Sequence, residues 1–304
     1  MVDRNQKGYT DRAADPVLSL PQSTPQISEP QLARDKFRSE APSVDDPQKF
    51  VRQHYYDFYN REPDTQSIQF WTGEIERCGV DAQCRAAKRV NISAAFFLSI
   101  EFQETGYLVY RVHKVAYGNT TSPGVPGTVP VVRFQELLPD TRRIGQGVTV
   151  GQDMWEQRLK ANKTAYMVEF VQRPRFLAAF PLSMTPAQFV DRLNQNAGSV
   201  LTRPERDQLV AQLKSSADAT AERAGVLRSM AENKALQSDE FNRAFVLMLY
   251  YGYLRRNPDD PPDPDFHGWR VWLDRLNQFK GDFTKAGMVN AFINSNEYRL
   301  RLAH

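Results

Sequence analysis

The chain has 304 residues, of which 41% are hydrophobic and 25% charged, enough to bury the core of one large domain or two of ordinary size. Its 39 basic and 36 acidic residues are spread along the chain for a formal net charge of +3, so no patch of one sign points to nucleic acid or an anionic membrane. The longest strongly apolar run, AFVLMLYYGYL at 244–254, falls far short of the ~20 residues a spanning helix needs, and no membrane span is expected.

Residues 1–20 hold no apolar stretch of signal-peptide length after a basic start, so the chain either stays inside or is a mature form or fragment. Residues 1–46 are polar and rich in proline, with apolar residues too sparse to bury a face, and read as a tail or linker. An ordered domain is expected over 47–303. It opens with KFVRQHYYDFY, where Phe50, Val51, His54, Tyr55 and Phe58 fall at helical spacing. Pro63-Asp64 stops that helix and caps the next, on which Ile68, Trp71 and Ile75 share a face. Gly79 then supplies a left-handed stop and Asp81 a further cap, and a third helix runs through Val90, Ala94 and Phe97.

This helix trio returns near the C-terminus in one register: FV at 50 and 245, YY at 55 and 250, arginine at 61 and 256. An insert follows the second arginine. Pro264-Asp265 then takes the part of Pro63-Asp64, Trp272 that of Trp71, and AFINSNEY at 291–298 that of AFFLSIEF at 95–102. A weaker copy is traced from 189 to 241. The expectation is an all-α domain of three stacked repeats, about 49–103, 186–241 and 241–303, with a helical connector at 104–185. Within the connector DMWEQRLKANKTAYMVEFVQ reads as a long helix, whereas GVPGTVPVV and GQGVTVG, broken by glycine and proline, read as loops.

The stretches FVRQHYYDFYNREPD, SAAFFLSIEFQETGYLVYR, WEQRLKANKTAYMVEFVQRPRF and EFNRAFVLMLYYGYLRRNPDD together resemble the bacterial domain-of-unknown-function family 4214, over roughly residues 46–303. More distantly, the arginine-x-proline-aspartate pattern with its later tryptophan and Ser-x-Glu-aromatic ending is similar to the helical linker domains of phycobilisomes. The resemblance implies an all-helical, non-catalytic structural or interaction module of bacterial surface-exposed or exported proteins. It implies an extracellular or cell-envelope location and, as partner, an unknown protein or cell-surface component. The acidic insert at 257–263 departs from the short form of the family.

That insert raises calcium as a cofactor, because Asp263, Asp265, His267, Gly268 and Asp274 fall on ligand and turn positions of an EF-hand loop. Histidine at a ligand position, Pro264 within the loop and the short Asp274 in place of glutamate weigh against it. An N-cap at Asp265 is the simpler reading, and no cofactor is expected. Asp259, Asp260 and Asp263 then form an acidic edge beside Arg255 and Arg256. A glycan held by aromatics of 257–269 is the other binding alternative.

Cys78 and Cys84 are too far apart on a continuous helix to pair, but a turn through Gly79-Val80-Asp81 can bring them together. A disulfide and two buried thiols both fit the sequence. The four histidines show no metal-ligand spacing, and no nucleophile elbow or phosphate loop is present, so no enzyme is expected. The residues singled out are architectural: Asp64 and Asp265 as caps, Trp71 and Trp272 as core anchors with Trp269 also core, and Arg61 and Arg256 as tethers to carboxylates or helix-end carbonyls.

Overall fold

The computed structural model describes residues 45–213 and 219–301. The expected proline-rich tail lies, up to residue 44, outside the described residues, as do the final positions of the 47–303 domain.

Asp46 caps α1 (Pro47–His54) by accepting from the Lys49 amide at 2.8 Å, with proline pre-set for the first turn. The helix widens without a break into a π-turn, Tyr55–Tyr59, ended by Asn60 in the left-handed region (φ 55°), a conformation asparagine tolerates better than most residues. Asp64 then caps α2 (Thr65–Glu76) and Asp81 caps α3 (Ala82–Leu98). Ser99 starts the short α4 (Ile100–Phe102), and a second π-turn, Gln103–Tyr107, leads into α5 (Leu108–Tyr117). Every residue of α5 from Leu108 to Ala116 is buried, as expected of a helix packed on all sides at the centre of a domain.

The connector holds the only strands among the described residues. GVPGTVPVV, expected as a loop, supplies β2 (Val125–Pro130), paired antiparallel with β1 (Asn119–Ser122) in the register Thr120 to Val129. Proline and glycine concealed it. A two-stranded ribbon consists only of edges, where proline is tolerated, and Gly124 (φ 71°) makes the tight turn that the pairing needs.

Helices resume with α6 (Phe134–Gly145), α7 (Trp155–Phe170) and α8 (Pro174–Ala179). Next come α9 (Pro186–Ala197), α10 (Arg203–Gln212) and α11 (Ala219–Ala231). Thr185 and Thr202 form capping boxes with Gln188 and Glu205. The chain then enters α12 (Lys234–Leu249), a third π-turn (Tyr250–Leu254), α13 (His267–Gln278), α14 (Met288–Ile293) and α15 (Asn296–Arg301). The fold is thus all-α apart from the small hairpin.

The two ends share geometry at the level of single side chains. The first and third π-turns each start at the paired tyrosines and end on a left-handed residue, Asn60 (φ 55°) or Arg255 (φ 56°). Phe58 meets Phe96 at 6.1 Å and Phe102 at 5.4 Å between ring centroids; Tyr253 meets Phe292 at 6.2 Å and Tyr298 at 5.4 Å. Ser99 bonds the Phe96 carbonyl and caps the Phe102 amide, while Ser295 bonds the Phe292 carbonyl and caps the Tyr298 amide. The two π-turns also touch each other, through Phe58 and Tyr253 at 5.5 Å. Gly252 is required there, since a β-carbon would sit 2.3 Å from the Phe58 ring.

Trp71 and Trp272 have matching surroundings, at 6.1 Å from Phe96 and 5.7 Å from Phe292, but both are only half-buried at the rim of the core. The fully buried indole is Trp269, at the position of Ile68. The expected anchor is therefore displaced by one turn of helix: a tryptophan at the rim covers the core, and the one beneath it fills it.

Candidate functional site

Three polar assemblies and one cleft are candidates. The first is a clasp made twice. Arg61 grips Glu101 through Nε at 3.1 Å and Nη2 at 2.9 Å, and also donates to the Glu62 carbonyl. Arg256 grips Glu297 through Nε at 2.5 Å and Nη2 at 2.9 Å, and donates to the carbonyls of Asn257 and Asp260. Each guanidinium lies over a tyrosine ring, Tyr55 at 5.1 Å or Tyr250 at 5.5 Å, so the fork geometry is held from two sides. The clasps tie the residue after each π-turn to a later helix of the same unit. The middle stretch differs among the described residues: its Glu-Phe pair, Glu240-Phe241, lies inside α12, and Glu240 accepts from Tyr110 and pairs with Lys114.

The second assembly is the acidic insert. Asn257 is 1% exposed; its Oδ1 accepts from the Phe134 amide at 2.7 Å, capping α6, and from the Tyr251 hydroxyl. Arg133 binds Asp259 through both carboxylate oxygens, at 2.7 and 2.9 Å, and reaches Asp260. The neutralising cations thus differ from those expected: Asp263 pairs with Arg256, but Asp259 and Asp260 pair with Arg133, while Arg255 donates to the Asp57 carbonyl and lies over Phe134. The insert braces the last unit against α6.

The residues weighed for calcium are not brought together. Asp263 accepts from Arg256 at 2.7 Å, Asp265 from the His267 amide at 2.7 Å, and Asp274 pairs with Arg270 at 3.9 Å. Among the described residues no group of three His, Cys, Asp or Glu side chains is placed to hold a metal ion. Asp265 also differs from Asp64 as a cap: Asp64 is the cap residue of α2 and bonds the Ser67 amide, whereas Phe266 takes that position on α13 and Asp265 bonds from one residue earlier.

Cys78 and Cys84 form a disulfide with Cα atoms 5.6 Å apart. The turn that brings them together is made by Gly79 in the left-handed region (φ 55°) and by Asp81, which accepts from the Gln83 and Cys84 amides. The last unit makes the same turn without cysteines: Lys280 is left-handed (φ 54°) and Asp282 accepts from the Thr284 and Lys285 amides.

The third assembly is buried. His54 Nδ1 donates to the Phe50 carbonyl (2.8 Å), so in the neutral ring Nε2 accepts from Ser93 Oγ (2.6 Å), and Ser93 also bonds the Tyr253 hydroxyl. A serine beside a histidine has the elements of a nucleophile and base. Here both are fully enclosed among aromatic rings, and burial lowers the His54 pKa from 6.5 to about 4, so the pair is a neutral core bridge between the first and last units. A similar knot joins α5, α6, α7 and α8, where Asp140 receives His113, Tyr166 and both amino groups of Arg173. Burial raises the Asp140 pKa, but His113 and Arg173 outweigh it and hold the carboxyl below its usual value.

The cleft, about 820 Å³, lies between α12 and α13 beside the N-terminal part of α5. Its wall carries Arg111, Lys234, Arg243, Arg270 and Lys280 against the single carboxylate of Asp239. Arg111 is 8% exposed; its Nε donates to the Ala231 carbonyl at 2.7 Å, and no carboxylate lies within ion-pair distance among the described residues. Burial lowers its pKa to about 10 against the opposing pull of Glu104 and Glu232.

Comparison of the chain with protein-family models, with curated proteins and with solved structures finds no match in any of the three. Sequence reasoning placed Arg61 and Arg256 but not Glu101 and Glu297 as their partners. The recurring Ser-x-Glu-aromatic ending was the available signal. Nothing in the sequence gathers the cations of the cleft, which come from four separate segments.

Proposed function

We propose that the chain is a non-catalytic structural or interaction module of a bacterial surface-exposed or exported protein, built from a helical unit used at both ends of the domain. The observation that carries this reading is the duplicated clasp, Arg61 on Glu101 and Arg256 on Glu297, with its matching ring packing. In both copies the charged groups serve to hold the unit closed. The buried histidines and carboxylates are likewise spent on the scaffold. The resemblance to domain-of-unknown-function family 4214, carried by the same stretches, supports the reading. So does the Cys78–Cys84 disulfide, since such bonds persist in oxidising compartments.

The test is fractionation of the producing bacterium followed by thiol mapping of the recovered chain by mass spectrometry. The reading expects the chain in the envelope or medium, with Cys78 and Cys84 oxidised. Recovery from the cytosol with both thiols free contradicts it.

A further inference from the structure

We propose that the cleft between α12 and α13 binds an acidic sugar, a carbohydrate carrying carboxylate or phosphate groups. The cleft is separate from both clasps, and its volume of about 820 Å³ falls within the ~300–1,000 Å³ typical of small-molecule sites.

The anion requirement comes from Arg111. A guanidinium that is 8% exposed normally has a carboxylate for company, yet only Nε is engaged, on the Ala231 carbonyl. Its two terminal amino groups have no hydrogen-bond partner among the described residues, and the residue lines the cleft. Two more cations face the same space without partners. Lys280 forms no ion pair among the described residues, and neither does Lys234. Lys234 is moreover the first residue of α12, where the positive end of a helix disfavours a cation. A bound anion would relieve that repulsion and complete the Arg111 fork. Arg243, by contrast, is occupied, lying over Trp269 and donating to the Thr128 carbonyl.

The sugar requirement comes from the remaining lining. Gln103, Gln237 and Ser238 present amide and hydroxyl groups, which both donate and accept and so match sugar hydroxyls. Asn242 and Asn277, bonded to each other at 2.8 Å, join α12 to α13 across the cleft. Half-buried Phe241, backed by a stacked Tyr107 at 5.6 Å, adds an apolar ring for a sugar face.

The experiment is calorimetry on the full chain with four probes: trigalacturonic acid, glucose 6-phosphate, maltotriose and inorganic phosphate. At least one acidic sugar is expected to give saturable heat, and the tighter of the two identifies carboxylate or phosphate as the anion. Maltotriose gives none. The double variant Lys234→Gln/Lys280→Gln, altered only at exposed positions, weakens binding about tenfold or more, the loss expected for charge-assisted hydrogen bonds. Arg111→Gln abolishes it, and the double variant decides the matter if Arg111→Gln does not fold. The proposal is overturned by no heat from either acidic sugar at millimolar concentration, by maltotriose or inorganic phosphate binding as tightly as the acidic sugars, or by unchanged affinity in the double variant. Each of these readouts is independent of where the chain resides in the cell.

Discussion

The first and last helical units close in the same way and connect in different ways. In the first, only Glu62, Pro63 and Asp64 separate the clasp arginine from α2; in the last, the insert leaves after Arg256 and is pinned to α6 by Asn257 and Arg133. In the first, a disulfide spans the turn before the third helix; in the last, a left-handed lysine and an aspartate make that turn unaided. What recurs is what packs: ring pairs, serine caps and arginine forks. What differs is how each unit meets its surroundings. His54 shows the same division, since Leu249 stands at its position in the last unit, where no Ser93-like hydroxyl needs a partner.

Substitutions separate the shared from the particular. The largest effect is expected at Trp269→Ala, about 3–5 kcal/mol in denaturant unfolding, because the indole is wholly enclosed; Trp71→Ala and Trp272→Ala, at the rim, should lose about half of that and resemble each other. Unequal losses at the two rim positions would break the equivalence.

The clasps sharpen the comparison. Glu101→Ala strands Arg61, which has no second carboxylate partner among the described residues, and should destabilise by about 3 kcal/mol; Glu297→Ala leaves Arg256 paired with Asp263 and with the Asn257 and Asp260 carbonyls, and should lose about 1 kcal/mol. Thermal unfolding of the two single variants reads the difference directly.

Acid distinguishes the ends as well. Burial depresses the folded His54 pKa to about 4 from 6.5, so the unfolded chain binds a proton that the folded chain refuses between those values. The associated stability, about 3 kcal/mol for a shift of that size, is present above pH 6.5 and is lost as pH falls toward 4. His54→Leu, which copies the last unit, should flatten stability against pH in this window. An unchanged slope would place the titration elsewhere.

The smallest effects belong to features one unit has alone. Replacing Cys78 and Cys84 by serine should leave the fold intact and lose about 2 kcal/mol, the value for closing so short a loop, because the same turn forms at Lys280 and Asp282 without a disulfide. Asn257→Ala removes a cap from α6 and should lose about 1 kcal/mol, detectable as faster hydrogen exchange at the Phe134 amide.

Much of this architecture was legible in the sequence because it is local. Asp64 and Asp81 cap where a proline or glycine stop predicts, and the YY register pairs the two segments that form the first and third π-turns, although helical spacing alone did not show the widening. Features that depend on distant partners were not legible. Arg133 meets Asp259 across the fold, and an even spread of charge along the chain concealed the cations that folding gathers beside α12. Helical spacing put Trp269 and Trp272 on one face but could not tell the buried position from the rim, since that depends on how deeply α13 sits against α12. The hairpin escaped notice because proline and glycine, which break long strands, are harmless in an isolated ribbon.

The account depends above all on two like units meeting face to face through their π-turns, at Phe58 and Tyr253. A double-mutant cycle with Phe58→Leu and Tyr253→Leu, read by denaturant unfolding, tests that contact most directly. Losses that depart from additivity by about 0.5–3 kcal/mol are predicted for rings in contact, and additivity within about 0.3 kcal/mol would contradict it.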